Sequence, residues 1–221
     1  MKKNAKSLVL CSILILPVLA FFFLKGCGSN EYKLPVMFAY DSVFQDGKYI
    51  LTDVHTIPDF ILPSHTGDSL SLNDVKGKVF IADFFFTRCP GICPQMTTEL
   101  TRVQEAFREN AEISIVSFSV DPVYDNIEVL KNYAEEYGAI AGKWHFVTGE
   151  KEDVYNLAQK GFFVSAMEDE GHIEEFIHSE KLILVDKEGR IRGYYNGTER
   201  EDVDRLITEI NILLYEYNKN K

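Results

Sequence analysis

The stretch Val79–Leu100, "VFIADFFFTRCPGICPQMTTEL", decides the fold. Val79 to Phe86 is a near-continuous apolar run of strand length, the pattern of a strand buried on both faces. After Pro94 the period changes. Met96, Leu100, Val103 and Phe107 recur at spacings of three and four, which predicts a helix with one apolar face. Between strand and helix stand Cys89 and Cys93, two of the four cysteines in the chain, each followed by proline.

The same alternation continues on the C-terminal side. Ile113–Val120, "ISIVSFSV", reads as a second buried strand, ended by Asp121 and Pro122. Asn126–Tyr137 reads as a helix with Ile127, Leu130, Ala134 and Tyr137 inward and Gly138 as its stop. "WHFVTG" (Trp144–Gly149) is a short third strand, Glu152–Lys160 a short helix ended by Gly161, and "MEDEGHIEE" (Met167–Glu175) an acidic loop. "KLILVD" and "IRGYYNG" flank the turn Lys187-Glu188-Gly189 and predict an antiparallel hairpin. Glu199–Asn218 closes the chain as a long helix with Val203, Leu206, Ile210 and Leu213 on one side. Before the central strand, Pro58, Pro63, Gly67 and Gly77 punctuate short strands and turns.

This order predicts an α/β chain of thioredoxin-like fold: a central mixed sheet flanked by helices, with an N-terminal strand-and-turn extension. In such a fold the loop after the first core strand lies at the carboxyl edge of the sheet, where ligands gather.

The chain's 221 residues suggest one domain with appendages, and 46% hydrophobic with 26% charged residues is an ordinary globular balance. The formal charge of -11 repels phosphate backbones and argues against nucleic acid as a partner. Met1–Lys6 is basic, and Ser7–Leu24 is uncharged and strongly apolar, the layout of an export signal. "LKGC" at Leu24–Cys27 resembles the bacterial lipoprotein signal, in which cleavage precedes a cysteine that takes lipid. Lipid attachment at Cys27 leads, and an uncleaved transmembrane helix is the alternative. Either one tethers an extracytoplasmic domain to a membrane. An unmodified Cys27 is the plain reading. Residues 1–27 are therefore expected to be signal or anchor, 28–55 a tether and N-terminal extension, and 56–221 the thioredoxin-like domain.

Outside the cytoplasm the domain keeps Cys89 and Cys93. A chain of this size gains little from closing so short a loop, so the pair is read as chemical rather than structural. A helix N-terminus and Arg88 are both expected to lower thiol pKa values and favour thiolates. Two thiolates hold a metal poorly without a third ligand. His55 and His65 read as exposed turn residues, His145 as a core or half-buried residue of its short strand, and His172 as part of a solvated loop. His178 directly precedes "SEKLILVD" at the entry to the hairpin, which in this fold lies beside the cysteine loop. A thioredoxin-type reductase is expected to carry a cis-proline there, whereas this chain has Ile177-His178-Ser179. Two thiolates and one imidazole suit Cu(I). A structural zinc site wants four ligands, and completing one with Asp83 or water is the weaker fit. Iron–sulfur binding fails for lack of thiols.

"DFFFTRCPGICPQM", "SFSVDPVYD", "WHFVTG" and the histidine of "FIHSEKLILVDKEGRIRGYYNG" together resemble the Sco/SenC family, thioredoxin-like copper-handling proteins of respiratory membranes. The resemblance covers about Thr56 to the C-terminus. It implies Cys89, Cys93 and His178 as copper ligands, with the oxidation state, Cu(I) or Cu(II), left open. It also implies delivery of copper to, or thiol reduction at, the dinuclear copper centre of cytochrome c oxidase subunit II. The acid that commonly precedes the histidine in the family is here Ile177. Asp83 and Asp121, near the same edge, are candidates for tuning the thiols, for a partner surface, or for capping. A thiol-disulfide oxidoreductase cycling Cys89 and Cys93 as a redox pair is the enzymatic alternative. A peroxidase is disfavoured, because Phe86-Thr87-Arg88-Cys89 lacks the Thr-x-x-Cys arrangement.

Overall fold

The computed structural model describes residues 15–19, 21, 33–45, 48–164 and 179–219. The chain divides into two units, Met1–Lys33 and Leu34–Lys221. In the first, residues 15–19 and 21 are helical. No helix among the described residues is long and apolar enough to cross a membrane. Cys11, Cys27, His172 and His178 lie outside the described residues.

In the second unit a two-stranded antiparallel sheet comes first, β1 (Ala39–Gln45) with β2 (Lys48–Val54). A second small hairpin follows, β3 (Ile61–Pro63) with β4 (Ser69–Ser71), leading into the short helix α1 (Leu72–Val75). Then come β5 (Val79–Phe85), α2 (Ile92–Ala106), β6 (Ile113–Ser119), α3 (Ile127–Glu136), β7 (Trp144–Val147), α4 (Lys151–Asn156) continued by a π turn to Gly161, β8 (Lys181–Val185), β9 (Ile191–Asn196) and α5 (Arg200–Lys219). The five long-range strands form one sheet in the order β7-β6-β5-β8-β9. β5, β6 and β7 run parallel, while β8 and β9 are antiparallel to their neighbours, so the sheet is mixed.

Alternation along the strands builds two cores. Phe84 and Phe118 stack on one face, where Phe60 and Phe162 close over them. Phe85 and Phe146 point to the other, against Tyr133 of α3. α2 reaches the same Tyr133 through Thr97, whose hydroxyl lies 2.9 Å from the phenol oxygen. Met96, Leu100, Val103 and Phe107 are buried as their spacing predicts, and so are Val203, Leu206, Ile210 and Leu213 of α5. Ile127 corrects the reading of α3. It is 39% exposed in the first turn of α3, whereas Tyr133 is buried with Leu130 and Ala134.

The N-terminal entry of this unit is tied down by charge. Arg192, buried on β9, donates to the Leu34 and Pro35 carbonyls, to Asp186 and to Glu216, whose carboxylate in turn accepts from the Leu34 amide.

His65 is also unlike its sequence reading as an exposed turn residue. It is buried against the edge strand β7. Its amide donates to the Phe146 carbonyl, and its Nδ1 accepts from the Phe146 amide at 3.2 Å. That acceptor exists only in the neutral ring, and burial pulls the pKa of His65 below its ordinary value. Half-buried His145 on β7 is lowered for the same reason. A depressed histidine contributes stability that is present above the unfolded value of about 6.5 and is lost as pH falls through the folded value. Urea midpoints are therefore expected to drop between pH 7 and pH 5. The His65→Gln chain should show a shallower drop, and an equal drop in both chains would refute this role for the ring.

Candidate metal and thiol site

The cysteine loop is built by a strand that ends and a helix that starts in a small space. β5 stops at Phe85, residues 87–88 form a turn closed by the Cys89 amide donating back to the Phe86 carbonyl, and residues 90–91 bend into the helix. Gly91 is the N-cap of α2, which begins at Ile92, whereas the sequence pattern places the helix after Pro94. Pro94 sits in the first turn, where no intrahelical donor is needed, so the helix accommodates it. Cys93 is thus inside the helix and Cys89 just outside it.

Both sulfurs are free and buried, with Cys89 6% and Cys93 3% exposed. The Cys89 thiol lies close to that of Cys93. Burial pushes the Cys93 thiol far above its ordinary range, helped by the neighbouring Cys89 and the charge of Asp83 and opposed by a backbone hydrogen bond from Phe86. The expected lowering of this thiol's pKa by Arg88 is therefore corrected. Arg88 spends its charge on Asp121, with Nε and Nη2 at 3.2 and 2.5 Å from Oδ2, and its guanidinium lies 4.3 Å over the Tyr124 ring. At Cys93 desolvation outweighs the helix terminus. A soft cation displacing the proton would supply the positive charge that this buried sulfur lacks.

Asp125 holds the loop from behind. Fully buried, it accepts from the Thr87 amide at 3.1 Å, from the Thr87 hydroxyl, and from the Ser119 hydroxyl at 2.6 Å. It ties the end of β5 to the end of β6. The only sign of this role in the sequence is a second aspartate four residues after Asp121 in a strand-end loop.

Asp83 lies on β5 beneath the thiols rather than at the rim. It is buried and accepts from Ser117 Oγ at 2.5 Å, and Ser117 in turn accepts from the Trp144 indole at 2.9 Å. Burial raises its pKa to about 7. A raised carboxyl favours the fold fully below the unfolded value near 4, and that contribution is lost as pH rises through 7. The Asp83→Asn chain is expected to be more stable than the parent above pH 7 by up to roughly 4 kcal/mol, at 1.36 kcal/mol per unit. The advantage should vanish below pH 4. Denaturation at pH 4, 6 and 8 checks it, and a difference that does not grow with pH would contradict it.

Among the described residues no three His, Cys, Asp or Glu side chains form a metal-holding group. The Nε2 of His55 hydrogen-bonds the Gly161 carbonyl at 2.7 Å, His145 belongs to β7, and His65, in the turn between β3 and β4, is bound to Phe146 of that strand. The structure brings Cys89 and Cys93 together, and His178 falls outside the described residues. The chain just after it is described. β8 runs antiparallel to β5, with Ala82 opposite Ile183 and Phe80 opposite Val185. The entry of β8 therefore lies at the sheet edge where β5 ends and the cysteine loop begins.

A family model described as SCO1/SenC matches residues 51–214. Among solved structures, a SCO1/SenC family lipoprotein from Bacillus anthracis superposes with a TM-score of 0.64 at 29% identity, covering 72% of this chain and 95% of that one. BsSco, described as a member of the Sco family of cytochrome c oxidase assembly proteins in which a disulfide switch was identified, matches with a TM-score of 0.62 at 34% identity over 72% and 92%. Arabidopsis thaliana ScoI, solved with copper bound, matches with a TM-score of 0.57 at 26% identity over 70% and 97%. The thioredoxin-like arrangement read from the strand and helix order is the fold these proteins share.

Proposed function

The chain belongs to the SCO1/SenC family, and from that premise we propose that it is a membrane-tethered, extracytoplasmic copper chaperone that delivers copper to the dinuclear site of cytochrome c oxidase subunit II. Cys89, Cys93 and His178 are its ligands in this reading. The observation that carries it is the pair of adjacent, buried, unbridged thiols at the start of α2, beside the entry of β8 that His178 precedes. Two sulfurs in an apolar setting favour a soft, low-coordinate ion over zinc, which asks for four donors. The copper-bound Arabidopsis relative supports the cargo, BsSco supports the oxidase, and the Bacillus anthracis lipoprotein supports the tether at Cys27.

Anaerobic titration of the reduced full chain tests this. One tightly held copper(I) equivalent is expected, lost in Cys89→Ser and in Cys93→Ser and weakened by more than tenfold in His178→Ala. Undiminished binding without His178 would remove the imidazole from the ligand set.

The proximity of the two free thiols favours a second reading, a thiol-disulfide oxidoreductase. Cys89 and Cys93 would give two electrons and two protons to a target disulfide, leaving the target as a dithiol and themselves joined by one S–S bond. Turnover on a protein disulfide that persists in metal-free His178→Ala would support it.

A further inference from the structure

The sulfurs are too buried to meet an acceptor unless that acceptor touches the rim of their loop. Ligand exchange and disulfide exchange both need bonding contact between donor and acceptor atoms. The rim on the α3 side is conspicuously apolar. Val123 is 92% exposed, and Tyr124 (45%) and Ile127 (39%) stand beside it, so three exposed large apolar side chains fall within five residues. Elsewhere in the Leu34–Lys221 unit, the exposed large apolar residues of the described chain are those of the β1–β2 hairpin, Ile61 and Tyr215.

This patch is rigidly joined to the cysteine loop. The turn that carries it is closed by hydrogen bonds from the Tyr124 and Asp125 amides to the Asp121 carbonyl, and Asn126 caps the helix that follows. Arg88, next to Cys89, stacks on Tyr124 and pairs with Asp121, and Asp125 binds Thr87. A partner seated on Val123 is therefore held in fixed register with the sulfurs.

We propose that Val123, Tyr124 and Ile127, with the Arg88 guanidinium at their edge, form the docking surface for the protein that receives what Cys89 and Cys93 hold. The inference rests on the chaperone reading above and adds the surface through which it acts. The occupant is a protein whose own paired thiols project from an apolar surface, because only soft donors exchange efficiently with this pair and only an apolar face is matched by this rim.

The test uses the full chain and the metal-free, reduced soluble domain of a cytochrome c oxidase subunit II as probe. Its dissociation constant is measured with the parent, Val123→Asp and Ile127→Asp chains. Copper(I) transfer rates to that domain and to the small chelator bathocuproine disulfonate are measured alongside. Both variants are expected to bind the domain at least tenfold more weakly and to load it at least tenfold more slowly, with transfer to the chelator unchanged within twofold. Parent-like binding by both variants overturns the proposal, because the partner then seats elsewhere, for instance on the β1–β2 hairpin. Equal slowing toward chelator and protein also overturns it, because the residues then act on the thiols and not on docking. A parent chain that loads the chelator but neither binds nor loads the domain overturns the underlying reading, and this surface with it.

Discussion

The Asp125→Ala chain is expected to lose about 3–5 kcal/mol of stability and to hold copper roughly 10- to 100-fold less tightly. Both effects come from one buried carboxylate. Three donors converge on it, the amide and hydroxyl of Thr87 and the hydroxyl of Ser119. Alanine strands all three, the Ser119 hydroxyl in the fully buried interior and the two Thr87 donors in a half-buried turn, and each stranded buried donor costs about 1–3 kcal/mol. The copper effect follows because Thr87 is two residues from Cys89. Without its anchor the end of β5 no longer fixes where the sulfur sits. The Thr87→Val chain removes one donor and keeps the others paired, so it should lose only about 1 kcal/mol. Urea denaturation and competitive copper(I) titration read the two effects separately. An Asp125→Ala chain within 1 kcal/mol of the parent would show that the carboxylate is not the tie described here.

Arg192→Met carries the second large effect, again about 3–5 kcal/mol. The guanidinium is buried and shared among two backbone carbonyls and two carboxylates, with 2.6 Å to the Leu34 oxygen and 3.1 Å to both Asp186 and Glu216. Asp186 retains Arg190 at 2.8 Å, so the loss falls mainly on Glu216 and on the Leu34–Pro35 entry. Proteolysis should then cut first near residues 33–38, the segment that carries any pull from an N-terminal anchor. Unchanged stability with unchanged cleavage would contradict this. The network is separate from the thiols, so copper binding should stay at the parent level. That separates the effect from Asp125→Ala.

Much of the fold was legible because its signals are local. The all-buried runs of β5 and β6 and the three-four spacing in α2 and α5 depend only on neighbours in sequence. The cysteine pair was legible for the same reason, since strand, bend and helix follow one another without a break. What the sequence hid depends on contacts between distant residues. His65 lies in the turn that Pro63 and Gly67 predict, but it is buried there rather than exposed, because it pairs with Phe146, 81 residues away. Arg88 looked like a source of charge for the thiols, and only Asp121, 33 residues on, takes that charge up. Asp125 was hidden likewise, because its partners lie on two different strand ends. The helix start at Ile92 was missed for a subtler reason. Pro94 was read as a boundary, although the first turn of a helix tolerates proline.

X-ray absorption at the copper edge, on the full chain loaded anaerobically with one equivalent of copper(I), counts the donors directly. The proposed ligand set predicts two sulfurs and one nitrogen in the parent chain. His178→Ala should lose the nitrogen and keep both sulfurs, and either Cys→Ser chain should keep one sulfur. A shell of sulfur alone in the parent, unaltered by His178→Ala, would contradict it.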